Sequence, residues 1–294
     1  MIEVVDLRKR YRKTTAVDGL TFTVREGSIT GFLGPNGAGK TTTLRILLGL
    51  VHATSGKATI AGHRYRELER PVARVGAVLE ASNYHPKRSG RNHLRMLAAA
   101  AEVPVKRVDE LLEFVGLGNA GGRAVGTYSL GMRQRLGIAH ALLGDPQVLI
   151  LDEPANGLDP EGIRWLRDFL RTFAADGKTV FISSHVLGEM QQLVDEVVII
   201  HHGKLIAHGP VSELTARAAG GARVRSPQAA ALRDALVEAG FRGSLDGDQL
   251  VTAAPPERVG ELAAANAIVL HELIADATSL EEAFLELTGG DEIR

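Results

Sequence analysis

Eight residues, GPNGAGKT at 34–41, have the glycine spacing and the Lys-Thr ending of a phosphate cradle. Glycines there let backbone N–H groups turn inward without Cβ clashes, and a helix that starts at once adds the partial positive charge of its N-terminus. Lys40 is then expected to reach β- and γ-phosphates, and the Thr41 hydroxyl to ligate magnesium. The expected cradle comprises Gly34, Asn36, Gly37, Ala38, Gly39, Lys40, Thr41 and Thr42. A second run, VLILDEP at 148–154, carries apolar residues into two carboxylates. A carboxylate at the carboxyl end of a buried strand lies where ligands of open α/β sheets bind. Asp152 is expected to hold Mg2+, directly or through water, and Glu153 to orient and deprotonate an attacking water.

These groups need a strand before the loop and a helix after it. The apolar stretch 28–33 and the helical run TTTLRILLGL supply both. Short β-branched runs alternate with helical patterns to about residue 210, which predicts an α/β domain. Expected strands are 2–7, 20–24, 28–33, 57–60, 75–79, 148–151, 179–182 and 197–201. Strands 148–151 and 179–182 are apolar without alternation, as central strands covered on both faces are. Residues 90–145 are rich in Ala and Leu with no strand pattern, and read as a helical insertion. Trp165, Leu166, Phe169, Leu170 and Phe173 repeat at helical spacing and mark a core-facing stripe.

After Pro210 the texture changes. Residues 222–226 read as a strand, 227–239 as a helix, Asp246-Gly247 as a hairpin turn and 267–274 as another strand. Residues 279–282 form a capping box opening a last helix, with Leu280, Ala283, Phe284 and Leu287 on one face. The expected division is a nucleotide-binding domain over 1–215 and a small α+β accessory domain over 216–294.

Formal net charge is −1 and pI about 6.8, so no field-scale attraction to nucleic acid is implied. There are no cysteines, which excludes disulfides, thiolate zinc sites and thiol catalysis and accords with a reducing interior. The opening MIEVVDLRKRYRK lacks the apolar stretch of a signal peptide. Runs such as VLIL and VVII fall far short of the roughly 20 residues that span a bilayer, so a soluble chain is expected. The histidines, among them the His201-His202 pair and His208, lack metal-ligand spacing.

Taken with further motifs in order, the two nucleotide motifs resemble those of the nucleotide-binding subunits of ATP-binding-cassette transporters, over about residues 1–215. Tyr11 matches the aromatic that stacks on adenine, TYSLGMRQR (127–135) the family signature, NGLD (156–159) the loop that crosses the dimer interface, and His185 the histidine that senses the γ-phosphate. The resemblance implies a P-loop NTPase cassette with a mixed β-sheet, ATP as nucleotide and its hydrolysis. It implies two subunits packed head to tail, each ATP lying between one chain's phosphate loop and the other's signature. Ser129 and the Gly131 backbone would then bond the opposing γ-phosphate, with the helix 131–143 pointing its N-terminus there, and Asp159 would lie at the interface. The implied partners are a second copy or a homologous ATPase, and a separate integral membrane permease that holds the chain at the inner face of the cell membrane.

Two positions depart from the family pattern. The common signature Leu-Ser-Gly-Gly-Gln stands here as Tyr128-Ser129-Leu130-Gly131-Met132, with an apolar last side chain. VGAVLE (75–80) ends in Glu80 where the family usually has a Gln touching magnesium. Glu80 is therefore an expected nucleotide and metal contact that adds a negative charge. Both departures, and the ending SLEEAFLELTGG (279–290), resemble the drug- and antibiotic-export branch, which implies export of a drug, antibiotic or lipid-like compound. The loop ASNYHPKRSGRNHL (81–94) and the helical insertion are the expected docking surface for the permease. The alternative is a soluble ATPase of the same cassette acting on ribosomes or DNA. A single cassette without a basic linker or heptad array, and a neutral charge balance, speak against it. A small-molecule kinase would leave Tyr128–Arg135, Asp159 and His185 without a role.

Overall fold

The structure, a computed structural model, describes residues 1–79, 84–218, 221–276, 280 and 284. The chain divides into two compact units, one taking in Met1–Gly209 and the other starting at Pro210. In chain order the first contains β1 (Ile2–Tyr11), β2 (Thr14–Val24), β3 (Ile29–Leu33), α1 (Lys40–Leu47), β4 (Ser55–Ile60), α2 (Pro71–Arg74) and β5 (Val75–Val78). Next come α3 (Gly90–Ala100), α4 (Lys106–Phe114), α5 (Leu130–Ala141), β6 (Val148–Asp152) and α6 (Pro160–Ala175). It ends with β7 (Thr179–Ser184), α7 (Leu187–Gln191), β8 (Glu196–His201) and β9 (Lys204–Pro210), the last crossing the boundary by one residue.

Among the described residues these strands form two sheets, ordered β5-β6-β7-β3-β8-β9 and β2-β1-β4. From β5 through β8 the first sheet is parallel, whereas β1 pairs antiparallel with both its neighbours. Every residue of β3, β6 and β7 is buried, so their apolar side chains need no alternation. The two sheets share one core, where Phe22 of β2 meets Phe32 of β3 and Phe181 of β7 with ring centroids 5.2–5.8 Å apart. Burying each such ring stabilises the fold by about 1.5–3 kcal/mol, and these three fix the strand that feeds the phosphate loop.

The helical insertion has its own apolar faces. Leu94 and Ala98 of α3, Val108, Leu111 and Leu112 of α4, and Leu136 and Ile138 of α5 are all buried. Of the α6 stripe, Leu166, Phe169, Leu170 and Phe173 are buried as expected. Half-buried Trp165 stacks on Phe169 at 5.8 Å beneath the Arg135 guanidinium of α5, so the end of the stripe joins α6 to the insertion.

Strand ends differ from expectation for physical reasons. β1 continues past residue 7 because its ladder with β2 runs, with bulges, to Tyr11↔Thr14, and its solvent-facing positions accept the charged residues RKR. β9 was not expected; it is a half-exposed edge strand without alternation, and an edge tolerates its Gly-Pro ending. The helix expected at 131–143 runs from Leu130 to Ala141.

The second unit contains α8 (Val211–Ala218), β10 (Gly221–Arg225), α9 (Ala229–Glu238), β11 (Gly243–Asp246), β12 (Gln249–Thr252), α10 (Pro256–Ala265) and β13 (Glu272–Asp276). From β10 onward this is a βαββαβ chain whose sheet, ordered β11-β12-β10-β13, is antiparallel throughout: the ferredoxin-like arrangement. Ala222, Val224, Leu250 and Thr252 face inward onto Leu232, Leu236 and Val259, while Arg223, Arg225 and Gln249 face out. The hairpin turn at Asp246-Gly247 joins β11 to β12 as expected. The strand expected at 267–274 starts only at Glu272, because Ala267 follows the helix cap with a φ of 53° that breaks extended backbone. Leu280 and Phe284 are buried. The rest of the capping box and its helix, with Ala283 and Leu287, lie outside the described residues. No helix of the described residues is long and apolar enough to cross a membrane.

Candidate active site

Parallel pairing sets β3, β6 and β7 in register, with Leu33 opposite Ser184 and Asp152 opposite Ser183. Their carboxyl ends therefore open at one edge, where the phosphate loop leaves β3. The loop is closely packed. A Cβ on Gly34 would collide with the Ile200 carbonyl oxygen, and one on Gly39 with that of Ala16, while Gly39 caps α1 with a φ of 107°. Ala38 is buried, Asn36 and Gly37 are exposed at the tip, and Thr41 and Thr42 are half-buried on the first turn of α1.

Lys40 is 6% exposed, yet its ammonium has three partners among the described residues. Nζ donates to the Gly34 carbonyl at 2.6 Å and the Pro35 carbonyl at 3.2 Å, and lies 3.3 Å from Glu153 Oε1. The other oxygen of Glu153, Oε2, lies 2.8 Å from His185 Nδ1. One carboxylate thus joins the loop lysine to the histidine after β7.

Asp152 is held at both oxygens. The Thr41 hydroxyl donates to Oδ2 at 2.7 Å and the Ser183 hydroxyl to Oδ1 at 2.5 Å. Burial raises the Asp152 pKa; the Ser183 and Thr41 hydrogen bonds oppose this, the neighbouring Glu153 charge adds to it, and Lys40 opposes it. A hydroxyl and a carboxylate converging in this way are hard oxygen donors, the set that suits a small divalent cation. Glu153 adopts a φ of 50°, which turns the chain out of β6. Its amide donates to Ser183 Oγ at 3.0 Å.

The remaining expected residues lie on other elements. Tyr11 ends β1, 44% exposed, with Lys9 Nζ 4.6 Å from its ring centroid. Ser129 caps α5 by accepting the Met132 amide at 3.2 Å, and Gly131 lies in the first turn of that helix. Tyr128 is buried and donates to the Ala120 carbonyl at 2.7 Å, anchoring the turn before the cap. Asp159 caps α6 by accepting the Gly162 amide at 2.8 Å. No hydrogen bond or ion pair among the described residues joins Tyr11, Ser129, Gly131 or Asp159 to the phosphate loop. Glu80 lies outside the described residues.

Two residues given no role of their own from sequence touch the candidate site. Ser183 touches both carboxylate residues. The signal for it was a pair of serines ending a strand that is otherwise apolar and central. Buried Gln134, on α5, reaches the Glu153 and Asn156 carbonyls at 3.4 Å, tying the signature helix to the loop after β6. A separate recess of about 680 Å3 is lined by Leu48, Leu50, Tyr84, His93, Met96 and His140 among others, beside the expected docking loop. Arg91 in that loop is paired with Asp109 at 2.8 Å, linking the start of α3 to α4.

A family model described as ABC transporter matches residues 17–156, and one described as a domain of unknown function matches 220–281. The chain is 46% identical to the bacitracin transport ATP-binding protein BcrA of Bacillus licheniformis, over 74% of this chain and 72% of that one. It is 37% identical to the Nod factor export ATP-binding protein I of Ralstonia nicotianae, over 98% and 94% of the two. A solved ATP-binding subunit of an ABC transporter, 28% identical, superposes with a TM-score of 0.67 over 74% of this chain and 92% of that one. The cradle, the paired carboxylates and these likenesses together identify the chain as a member of the ABC transporter family, an ATP-binding subunit with the ATPase cassette of that family.

Proposed function

We propose that this chain binds Mg-ATP at Gly34–Thr42, hydrolyses it with Glu153 as general base, and so powers a separate membrane permease that exports a drug-, antibiotic- or lipid-like compound. The observation that carries the reading is Glu153, held between Lys40 at 3.3 Å and His185 at 2.8 Å, beside an Asp152 bonded to the loop threonine. In this reading Lys40 exchanges its loop carbonyls for the β- and γ-phosphates, which frees one oxygen of Glu153 to take a proton from water. His185 keeps the other oxygen oriented. Thr41 and Asp152 would hold magnesium, which neutralises charge on the phosphate oxygens.

Among the described residues, no hydrogen bond joins Ser129 or Gly131 to the chain's own phosphate loop. They open α5, whose N-terminus is suited to an anion, and this supports a dimer in which they close over the ATP of a second copy or a homologous subunit. Asp159 would then stand at that interface, Tyr11 would stack on adenine, and Glu80 would serve as a nucleotide and metal contact. The apolar recess beside residues 84–94 speaks for docking of the permease there, which would hold the chain at the inner face of the membrane. The names of the bacitracin and Nod factor relatives support export as the direction. We also read 1–215 as the nucleotide-binding domain and 216–294 as an accessory domain.

Glu153→Gln tests the core of this reading. We expect ATP binding to persist, hydrolysis to fall by at least about 100-fold, and light scattering to show an ATP-dependent dimer. A variant that hydrolyses at the parent rate, or stays monomeric in saturating Mg-ATP and captures no multi-span protein from gently solubilised membranes, would overturn it.

A further inference from the structure

We propose that Ser183 is the positioning residue for both carboxylates of the site, holding Asp152 by its side chain and Glu153 by its backbone; this rests on the roles proposed above for those two residues. Ser183 has no exposed surface and stands directly opposite Asp152 in the parallel ladder. A serine hydroxyl has one proton and two lone pairs. The proton goes to Asp152 Oδ1 at 2.5 Å, and a lone pair accepts the Glu153 amide at 3.0 Å. One oxygen atom therefore binds two consecutive residues of the neighbouring strand end.

The chain geometry makes that oxygen necessary. The ladder between β6 and β7 ends at Asp152↔Ser183, and Glu153 turns out of it in a left-handed conformation unfavourable to any residue with a Cβ. Its amide has left the ladder, and Ser183 Oγ takes the place of the missing carbonyl. Asp152 is bonded at Oδ1 by Ser183 and at Oδ2 by Thr41, so its carboxylate cannot rotate without breaking one hydrogen bond. The Glu153 side chain starts from the pinned amide and spans Lys40 and His185. The next residue, Ser184, supplies the contrast. Its hydroxyl serves only the local turn, accepting the Val186 amide at 3.0 Å and donating to the Val186 carbonyl at 3.4 Å. Both described hydrogen bonds of the Ser183 hydroxyl go to the two residues assigned to the chemistry.

The test compares Ser183→Ala, Ser183→Cys and Ser183→Thr in the full chain, with thermal melts to confirm folding. For Ser183→Ala we expect kcat to fall about 10- to 100-fold, since small displacements of reacting groups are amplified in rate. A fluorescent ADP analogue should bind in EDTA with unchanged affinity, because the cradle is untouched. The Mg2+ concentration that half-saturates binding in the presence of that analogue should rise several-fold. Ser183→Thr, which keeps a hydroxyl, should recover most of kcat, and Ser183→Cys, a weaker donor of similar size, should fall between.

Parent-like kcat and Mg2+ requirement in Ser183→Ala would overturn the inference. So would a Ser183→Thr protein as impaired as Ser183→Ala while both melt like the parent. Asp152→Asn and Glu153→Gln run alongside. If they too leave hydrolysis and Mg2+ requirement unchanged, the roles of those carboxylates fail; if they abolish hydrolysis while Ser183→Ala does not, only the role of Ser183 does.

Discussion

At the scale of residues, three side chains of the site, those of Lys40, Asp152 and Glu153, are each held by more than one partner. Lys40, Asp152 and Glu153 are buried or nearly so, where an unpaired charge would be costly, and each is bonded to the others or to hydroxyls. His185 has a narrower part, a ring nitrogen 2.8 Å from Glu153 Oε2. Replacing it by alanine leaves the loop and Lys40 intact but frees Glu153 to rotate. We therefore expect His185→Ala to lower kcat about 100-fold with little change in ATP affinity, measured by steady-state hydrolysis and equilibrium nucleotide binding. A matching loss of affinity would instead make the histidine a phosphate anchor.

The elements decide where those side chains can be, and the insertion has a titration of its own. His93 of α3 is buried beside the Tyr84 ring, 4.9 Å between centroids, and faces His140 of α5 at 6.3 Å. Burial first, then the neighbouring His140 and Arg88 charges, push its pKa from 6.5 down to about 4. A base whose pKa is depressed on folding stabilises the fold above its unfolded value. That stability is lost as pH falls, because the unfolded chain takes up the proton first. Tm should therefore fall between pH 6.5 and about 4, and His93→Leu should flatten that fall when the two proteins are melted across the range. His140 is also depressed by burial, so a shallower slope of the same sign should remain. A parent-like slope in the variant would mean that His93 stays solvated.

For the molecule as a whole, the decisive feature is that each unit has an apolar cluster of its own among the described residues. Among the described residues, Phe22, Phe32 and Phe181 belong to one apolar cluster, and Val224, Leu232 and Leu250 to another. A chain ending at Gly209 therefore retains the cluster around Phe22, Phe32 and Phe181 and the described residues of the candidate site. We expect it to melt cooperatively and hydrolyse ATP, with any loss confined to assembly or transport. Loss of a cooperative melt would mean that the first unit depends on the second for its stability.

How much of this was legible beforehand follows from what kind of information each feature needs. Local chemistry was enough for the phosphate loop, because only glycines permit its turns, and for Asp152 and Glu153, because an apolar run ending in carboxylates marks a buried strand opening into a site. The central strands and the α6 stripe followed from hydrophobic pattern alone. The charged end of β1 and the edge strand β9 did not, since these half-exposed stretches lack the alternation that would distinguish them from loops. Ser183 was hidden for a different reason. A serine ending a strand has no local mark of function, and its role arises only when β6 and β7 pair in a register that sets it across from Asp152. Gln134 likewise needed the fold to bring α5 against the loop after β6. Sequence by itself determined which residues are candidates to bind phosphate and activate water. The tertiary structure decided which hydroxyls and amides hold them in place, because those bonds join residues 19 to 111 positions apart that only strand register and helix packing bring together.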